Sequence, residues 1–196
     1  MIPLVLLAVL FAVVVWQVQS GGVLVTFDGV VNAGLKAIRS RTTLAAGSWI
    51  SQVGTGAAGA VVCLVMSGAL WSGGRTRWIA PIWIAFVCAQ ITTWSLKFIT
   101  ARQRPDFLDG ITAGSPSFPS AHATVSMAVY GMCALAIADG LAQGRALVFT
   151  VAVALIMSIT FSRLLLSLHY LSDVVAGAIV GLFWILIAAK LASTWT

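Results

Sequence analysis

The chain of 196 residues contains only two histidines, and each of them lies beside groups that could use its ring in chemistry. His169 precedes Asp173 by four residues, so on a helix the two side chains would share one face and touch. The carboxylate would then hold one ring nitrogen and leave a lone pair on the other. This arrangement suits a nucleophile or a general base. The alternative is a polar pair that satisfies itself at the end of a membrane span.

The second histidine belongs to the stretch SFPSAHAT, which stands before a long apolar run. Two prolines, Pro116 and Pro119, favour an extended approach, and Ser120 occupies the position of a helix N-cap. The free N–H groups at such a helix start attract an anion. His122 lies in the first helical turn, where it could donate a proton to a bound group. A plain serine cap beside an interfacial histidine is the alternative.

Three cations accompany these histidines. Lys97 and Arg104 are seven residues apart, so they would share a side of any helix that connects them, and Pro105 predicts that this helix frays at Arg104. Arg163 precedes His169 by six residues, which predicts a break in the helix between them if both face one site. Arginine offers a planar fork to phosphate oxygens, and lysine adds a point charge. The alternative is cations that snorkel at the ends of spans.

Two other uses of these residues agree less well with the sequence. A metal site would have to be built from two histidines and a nearby aspartate, in a chain without glutamate or an HExxH pattern, so we predict no metal and no cofactor. A serine hydrolase would need a nucleophile elbow of the form GxSxG, which Ser120 lacks. A surplus of cations repels a metal and attracts a phosphate, which favours phosphoryl transfer over acyl transfer.

The elements that must position these groups are membrane helices. Hydrophobic residues make up 60% of the chain and charged residues only 8%. Since about 20 apolar residues span a bilayer as a helix, we predict about six spans in one all-α bundle, and a single domain over residues 1–196. The predicted spans lie near residues 3–18, 56–71, 78–96, 122–138, 146–161 and 174–192. We expect the first to be a retained anchor and not a cleaved signal peptide. Alternation of the spans places both histidines and the three cations on one face of the membrane.

The segment between the first two predicted spans is amphipathic. Its apolar positions fall on one helical face and its polar positions lie opposite: Phe27, Val30, Val31, Gly34, Leu35 and Ile38 against Asp28, Asn32, Lys36 and Arg39. This pattern is typical of a helix in the membrane interface, and a simple connector is the alternative. The net charge of +6 is spread over the ends of spans, so we expect membrane lipids and not nucleic acid as partners. No sequence feature indicates an obligate protein partner.

Three motifs together resemble the signature of the type 2 phosphatidic acid phosphatase (PAP2) superfamily. They are Lys97-x6-Arg104-Pro105, Pro119-Ser120-Ala121-His122 and Ser162-Arg163-x5-His169-x3-Asp173. The resemblance implies that His169 is the nucleophile that takes the phosphoryl group, that Asp173 orients it, and that His122 protonates the leaving oxygen. It also implies a phosphate-binding role for Lys97, Arg104, Ser120, Ala121 and Arg163. The family usually has glycine at the position of Ala121, so this chain adds a methyl group beside the phosphate.

A membrane lipid phosphate phosphatase is the function that this resemblance implies. The expected reaction removes a terminal phosphate through a phosphohistidine, without a metal, from undecaprenyl pyrophosphate, phosphatidylglycerol phosphate, phosphatidic acid or a lipid A phosphate. A lipid phosphotransferase is one alternative, and a protein that binds headgroups or transports anions without chemistry is another. The resemblance also implies a bacterial-type cytoplasmic (inner) membrane with the site on the periplasmic face. Charge does not fix this orientation, because the two faces carry four basic residues each outside the motifs: Lys36, Arg39, Arg41 and Arg102 against Arg75, Arg77, Arg145 and Lys190.

Overall fold

The computed structural model describes residues 2–105 and 114–194, and all of the regular structure in these two ranges is helical. The described residues form eight α-helices: α1 (Ile2–Gln19), α2 (Val23–Lys36), α3 (Arg41–Gln52), α4 (Gly56–Ser72), α5 (Ile79–Thr100), α6 (Ala121–Asp139), α7 (Arg145–Leu165) and α8 (Leu171–Thr194). A short 3₁₀ turn, Thr76–Trp78, leads into α5. The predicted all-α class is confirmed.

Five of these helices are long and apolar enough to cross a membrane, namely α1, α5 with the turn before it, α6, α7 and α8. Helices α3 and α4 pass the same test only as a pair, which is bent by 48°. The predicted count of about six spans is confirmed when this bent pair is counted as one. The sequence prediction covered only the second half of the pair, near residues 56–71, because the first half mixes Arg41 and several hydroxyl residues with its apolar ones.

Helix α6 lies at the centre of the bundle and packs against α5, α7 and α8. Two glycines of α8 face it at close range. A methyl group added at Gly177 would lie 2.5 Å from the Ser120 carbonyl oxygen, and one added at Gly181 would lie 2.8 Å from the Thr124 carbonyl oxygen. Small residues four positions apart let two membrane helices approach closely. This contact holds the first turns of α6 and α8 together, and those turns carry much of the candidate site.

Four helix ends meet at one side of the bundle: the last turns of α5 and α7 and the first turns of α6 and α8. The Ser120 N–H donates to the Asp173 carbonyl oxygen over 2.9 Å, which joins the start of α6 to the start of α8. Helix α7 ends two residues before Ser167, which adopts a left-handed conformation with a φ of 55°. The break that the sequence predicted before His169 is therefore confirmed.

Helix α2 is amphipathic as predicted, and its polar face points into the bundle. Asp28 is only 2% exposed, whereas Phe27 and Val30 on the apolar face are 51% and 62% exposed. Asn32 accepts a hydrogen bond from Arg39 over 2.7 Å on the inward side. Since α2 also contacts α7 and α8, it is a packed element of the bundle and more than a connector. Its position in the membrane interface stays a prediction.

Candidate active site

His169 lies in the short segment between α7 and α8, so the prediction that it shares a helix with Asp173 is wrong. The two side chains nevertheless meet, because His169 Nδ1 lies 3.4 Å from Asp173 Oδ2. The same oxygen accepts the Tyr170 N–H over 2.9 Å, as an acidic third residue does when it caps the start of its own helix. Both members of the pair are buried, with 4% and 0% exposure. The helix start, and not a shared helical face, therefore positions the pair.

The second ring nitrogen of His169 faces a cation. Arg104 Nη1 lies 3.3 Å from His169 Nε2, and the same nitrogen donates to the Leu168 carbonyl oxygen over 2.6 Å. Because a guanidinium can only donate, this contact favours a lone pair on Nε2 and a proton on Nδ1, toward Asp173. Burial lowers the pKa of His169 to about 4, although the Asp173 charge opposes this shift. The ring is therefore neutral near pH 7, with its lone pair directed at a guanidinium.

Lys97 and Arg104 converge on one backbone segment although no helix connects them. Helix α5 ends at Thr100, earlier than predicted, and Ala101 turns the chain in a left-handed conformation with a φ of 46°. Lys97 is only 1% exposed and donates to the Pro116 carbonyl oxygen. Arg104 donates to the same oxygen over 3.4 Å. The segment before α6 thus gathers both cations beside the start of that helix.

The first turn of α6 carries three more of the predicted residues. Ser120 is the N-cap, and its Oγ accepts the Ala123 N–H over 3.4 Å, which confirms the predicted cap. Ala121 and His122 follow as the first two helical residues, and N–H groups at these positions have no partner within their own helix. Such donors lie at the positive end of the helix dipole, where an anion is stabilised.

The His122 ring packs against the bend between α3 and α4. A methyl group added at Gly54 would lie 3.2 Å from His122 Cδ2 and 2.4 Å from Ile159 Cγ2, so a larger residue would displace both neighbours. The Tyr130 hydroxyl donates to the Val53 carbonyl oxygen over 2.6 Å and fixes the same bend. The bend therefore sets the position of the His122 ring. This contact does not follow from the sequence, because no residue near Gly54 in the chain indicates which helix lies beside the bend.

Arg163 lies in the last turn of α7 and is 8% exposed. One of its terminal nitrogens donates to the Ser51 hydroxyl near the end of α3, a partner 112 residues away that sequence analysis did not predict. The Nε atom of Arg163 is buried and has no hydrogen-bond partner within the described residues. The charges of Arg163 and Arg104 both act on His169, so the three groups are close in space. Because buried donors are nearly always bonded, an N–H without a partner among the described residues is available to bind an anion.

Two charged residues that are not fixed positions of the three motifs join this network. Arg102 donates to Asp173 Oδ1 over 2.6 Å and to Asp28 Oδ2 over 2.8 Å. Burial lowers the pKa of Arg102, but the charges of Asp173 and Asp28 outweigh burial, and the pKa is raised overall. Sequence analysis counted Arg102 only as a basic residue near the membrane and Asp28 only as part of a polar helix face. The scarcity of acidic residues, five in the whole chain, is the signal that could have singled out Asp28.

An apolar groove of about 510 Å³ runs between α1, α2 and α8 beside this network. Leu10, Val14, Phe27 and Val175 are among the residues that line it, and Asp28 and Ser172 form its polar end. Ser172 directly precedes Asp173 in the chain, so the polar end of the groove adjoins the site. Within residues 2–105 and 114–194, no group of three or more His, Cys, Asp or Glu side chains is placed to hold a metal ion. The predicted absence of a metal and of a cofactor stays a prediction.

Comparison with known sequences agrees with the resemblance of the three motifs. The sequence profile of the PAP2 superfamily matches residues 77–196, a range that contains every residue of the predicted site. Two Mycobacterium tuberculosis proteins, from strains CDC 1551 / Oshkosh and ATCC 25618 / H37Rv, are each 35% identical to the chain over 111 residues. Both are named decaprenylphosphoryl-5-phosphoribose phosphatase. The match covers 55% of this chain and 56% of each relative, so the chain spans about half the length of the curated relatives it matches.

Comparison with solved structures concerns the fold. The crystal structure of the first transmembrane PAP2 type phosphatidylglycerolphosphate phosphatase from Bacillus subtilis superposes on the chain with a TM-score of 0.93. The likeness covers 100% of this chain and 98% of the solved one, at 20% sequence identity. A likeness at this identity shows a common transmembrane helical fold and does not extend to the substrate.

Proposed function

The chain belongs to the PAP2 superfamily, and on that basis we propose that it is a membrane-embedded phosphatase that removes the terminal phosphate from a lipid phosphate or pyrophosphate. The observation that carries the proposal is the environment of one ring: His169 Nδ1 lies 3.4 Å from Asp173, and Nε2 lies 3.3 Å from Arg104. A neutral imidazole whose oriented lone pair is directed at cations is suited to attack a phosphoryl group.

The proposed reaction has two steps through a phosphohistidine. First, His169 Nε2 attacks the terminal phosphorus, the bond from phosphorus to the lipid oxygen breaks, and His122 gives its proton to that oxygen. Asp173 stabilises the positive charge that the phosphorylated ring acquires. Second, a water oxygen attacks the phosphorus while His122 takes a proton from the water. The bond from nitrogen to phosphorus then breaks, inorganic phosphate leaves, and His169 is again neutral.

Fixed positive charge stabilises the transferring phosphoryl group in this proposal, a task that metal ions perform in kinases. Lys97 and Arg104 donate to backbone carbonyl groups before α6, and a phosphate would offer them charged acceptors instead. The Nε of Arg163, which has no acceptor within the described ranges, supplies a third donor. Ser120 and the first-turn N–H groups, including that of Ala121, complete the phosphate-binding cradle. We expect the reaction to need no metal and no cofactor.

We propose a substrate that carries its phosphate on a membrane-anchored apolar tail. The groove between α1, α2 and α8 offers apolar walls next to a polar end at Asp28 and Ser172. The M. tuberculosis relatives are named for a polyprenyl-linked phosphate, which makes polyprenyl phosphates and pyrophosphates the first candidates here. Undecaprenyl pyrophosphate, phosphatidylglycerol phosphate and phosphatidic acid complete the set. The whole chain would act as one transmembrane domain in a bacterial-type inner membrane, with the site on the periplasmic face and without an obligate protein partner.

Turnover of a lipid phosphate panel by the purified, detergent-solubilised protein tests this proposal. Phosphate release is measured for each lipid with and without a chelator, with His169→Ala as the blank and Arg77→Met as a matched control at the other end of the bundle. We expect release that survives chelation and is lost in His169→Ala. Rapid quenching of ³²P-labelled substrate should trap a label on the wild-type chain that resists alkali and is released by acid, as a phosphohistidine is.

Three results would change the assignment. Release that continues in His169→Ala would remove the proposed nucleophile. Release that stops on chelation would contradict the metal-free mechanism. Transfer of the label to a second lipid in place of water would indicate a phosphotransferase, and binding of the lipid phosphates without any turnover would indicate a headgroup-binding protein.

A further inference from the structure

We propose that Arg102 is a positioning residue that fixes the orientation and charge of Asp173, and through it the orientation of His169, and that Asp28 of α2 holds Arg102 in place. The inference rests on the proposed phosphatase function, because the pair that Arg102 positions is the catalytic pair of that function. Arg102 occupies a variable position of the first motif, within its x6 stretch, and Asp28 lies outside all three motifs.

Arg102 reaches the first turn of α8 from the segment after α5. One terminal nitrogen, Nη1, donates to Asp173 Oδ1 over 2.6 Å and to the Ser172 Oγ over 2.8 Å. The other, Nη2, donates to Asp28 Oδ2 over 2.8 Å. The guanidinium also lies over the Tyr170 ring, 4.3 Å from its centre. With a side chain only 12% exposed, Arg102 is fixed by four contacts, three of them on α8 or the residue before it.

Asp28 completes this arrangement from α2. Its Oδ1 accepts the Ser172 N–H over 2.9 Å, and its Oδ2 accepts the Ser172 hydroxyl over 2.5 Å. A helix start leaves its first N–H groups without partners in the helix, so a carboxylate from another helix is a stabilising acceptor there. Asp28 therefore ties α2 to the same helical turn that carries Asp173.

Each oxygen of Asp173 has a separate task. Oδ2 faces His169 Nδ1 and accepts the Tyr170 N–H, whereas Oδ1 accepts from Arg102. Removal of Arg102 would leave the Oδ1 side of a fully buried carboxylate without its charged partner. It would also leave Asp173 and Asp28 as two buried carboxylates without the cation that bridges them. Their repulsion would favour protonation of one of them, and a protonated Asp173 would hold His169 less firmly. Arg102 prevents this by binding both.

The position of Arg102 differs from that of the phosphate-binding cations. Arg104 lies on the Nε2 side of His169, where the phosphate would bind, and the Nε of Arg163 has no partner among the residues that the structure describes. Arg102 lies on the Asp173 side, and both of its terminal nitrogens already donate to carboxylates. It is therefore placed to act on the rate through the catalytic pair and not on the binding of phosphate.

Kinetics of four variants test the inference: Arg102→Met, Arg102→Lys, Asp28→Asn and the double variant Arg102→Met/Asp28→Asn. For Arg102→Met we expect kcat to fall by about 10- to 100-fold, by analogy with the loss seen when the outer partners of metal-binding histidines are removed. KM and the inhibition constant of inorganic phosphate should stay within about twofold, because the loss is confined to the chemical step. Arg102→Lys, which keeps one charge without the fork, should fall between wild type and Arg102→Met.

The double variant gives the readout that a merely structural role would not produce. Removal of the second carboxylate relieves the repulsion on Asp173, so the double variant should turn over about threefold or more faster than Arg102→Met alone. Asp28→Asn by itself should lose less activity than Arg102→Met. The equivalent pair at the other end of the bundle, Arg77→Met and Asp139→Asn, serves as the control and should leave kcat unchanged.

The opposite outcomes are equally specific. A rise in KM with weaker inhibition by phosphate would make Arg102 a phosphate ligand and overturn the proposal, as would a double variant no faster than Arg102→Met. If Arg102→Met fails to give a monodisperse protein in detergent, Arg102→Lys decides: a wild-type kcat overturns the proposal and a lower kcat at unchanged KM supports it. Two results separate this inference from the proposed function, whatever Arg102 does. The absence of phosphate release by the wild-type protein would refute the function, and release that continues in His169→Ala would remove the proposed nucleophile.

Discussion

Clusters of arginine and aspartate stand near both ends of α6, and they differ in what surrounds the carboxylate. Near the C-terminal end, Asp139 accepts from Arg75 over 3.2 Å, from Arg77 over 2.6 Å and from the Trp78 indole over 2.9 Å. All three donors meet one oxygen of a carboxylate that is 31% exposed. Near the N-terminal end, Asp173 is fully buried and divides its two oxygens between an arginine and a histidine.

The comparison shows that an arginine–aspartate pair does not by itself make a functional site. The Asp139 cluster is complete, and exposed pairs of this kind contribute about 0–1 kcal/mol each to stability. The Asp173 cluster differs in one respect, because the buried Nε of Arg163 close by has no hydrogen-bond partner in residues 2–105 and 114–194. His169 has an oriented lone pair, and the Arg163 Nε close by has no acceptor among the described residues. One bound group could contact both. The proposed bound group is the phosphate of the substrate.

The strongest test of this contrast compares the two carboxylates directly. We expect Asp173→Asn to lose about 10⁴-fold in kcat, the effect of the same change at the orienting aspartate of a serine protease triad, because the amide no longer fixes the ring proton on Nδ1. Asp139→Asn should keep its activity. Phosphate release from the best lipid of the panel measures both, and comparable activity of the two variants would contradict the assignment of Asp173.

The next test compares two arginines. Arg163→Met removes the buried donor for which the described part of the chain offers no acceptor. We expect kcat to fall by about 10²- to 10³-fold, as when one donor to a developing negative charge is lost. Arg77→Met, in the exposed cluster, should leave kcat unchanged. Single-turnover kinetics separate binding from chemistry in both variants. An Arg163→Met enzyme that loses only affinity for substrate would show that this arginine binds the ground state and transition state equally.

The third test concerns burial itself. Because burial lowers the pKa of His169 to about 4 from an ordinary value of 6.5, the folded state disfavours the protonated ring. The contribution of His169 to the free energy of unfolding therefore falls as pH drops from 6.5 toward 4, because the unfolded chain takes up the proton first. Activity should therefore not be lost through protonation of the nucleophile above about pH 5.

His122→Asn makes this measurement direct, because it leaves His169 as the only histidine of the chain. The ring resonances of His169, followed by NMR in detergent, should not titrate between about pH 8 and pH 5. The same variant in a denaturing detergent is the control and should titrate near the ordinary pKa of about 6.5. A midpoint near 6.5 in the folded protein would show that the ring is not buried as described.

Much of the fold follows from the sequence, because apolar runs are local features. Helices α1, α5, α6, α7 and α8 lie where hydropathy predicts spans. The α3–α4 bend and the inward polar face of α2 do not follow, since each depends on contacts with distant segments. Gly54, for example, matters because it touches His122 and Ile159, neither of which is near it in the chain.

The candidate site, like the fold, follows from the sequence only in part. The fold brings together the residues that the motifs predicted: Lys97, Arg104, His122, Arg163, His169 and Asp173. No helix connects Lys97 with Arg104, and His169 does not share a helix with Asp173. Ser167 breaks the helix before His169 without any glycine or proline to announce it. The hydrogen-bond partners of the Arg102 side chain lie 70 to 74 residues away in sequence, and the Ser51 partner of Arg163 lies 112 residues away. Such long-range pairs leave no local pattern that a single sequence can reveal.

The smallest effect is expected where this chain departs from the usual family pattern. Ala121→Gly removes one methyl group beside the proposed phosphate cradle. Burial of one apolar carbon changes the free energy by about 0.8 kcal/mol, so we expect the rise in kcat/KM to stay below about tenfold. Glycine also weakens a helix relative to alanine, so the melting temperature should fall slightly.

Ala138→Gly, in the last turn of α6 beside Asp139, is the matched control, because it should lower the melting temperature without raising kcat/KM. An equal gain in kcat/KM from both variants would attribute the effect to a looser α6 and not to space around the phosphate. A gain confined to Ala121→Gly, and largest for the bulkiest headgroup of the panel, would mean that the Ala121 methyl group narrows the cradle and so limits which lipid phosphates the enzyme accepts.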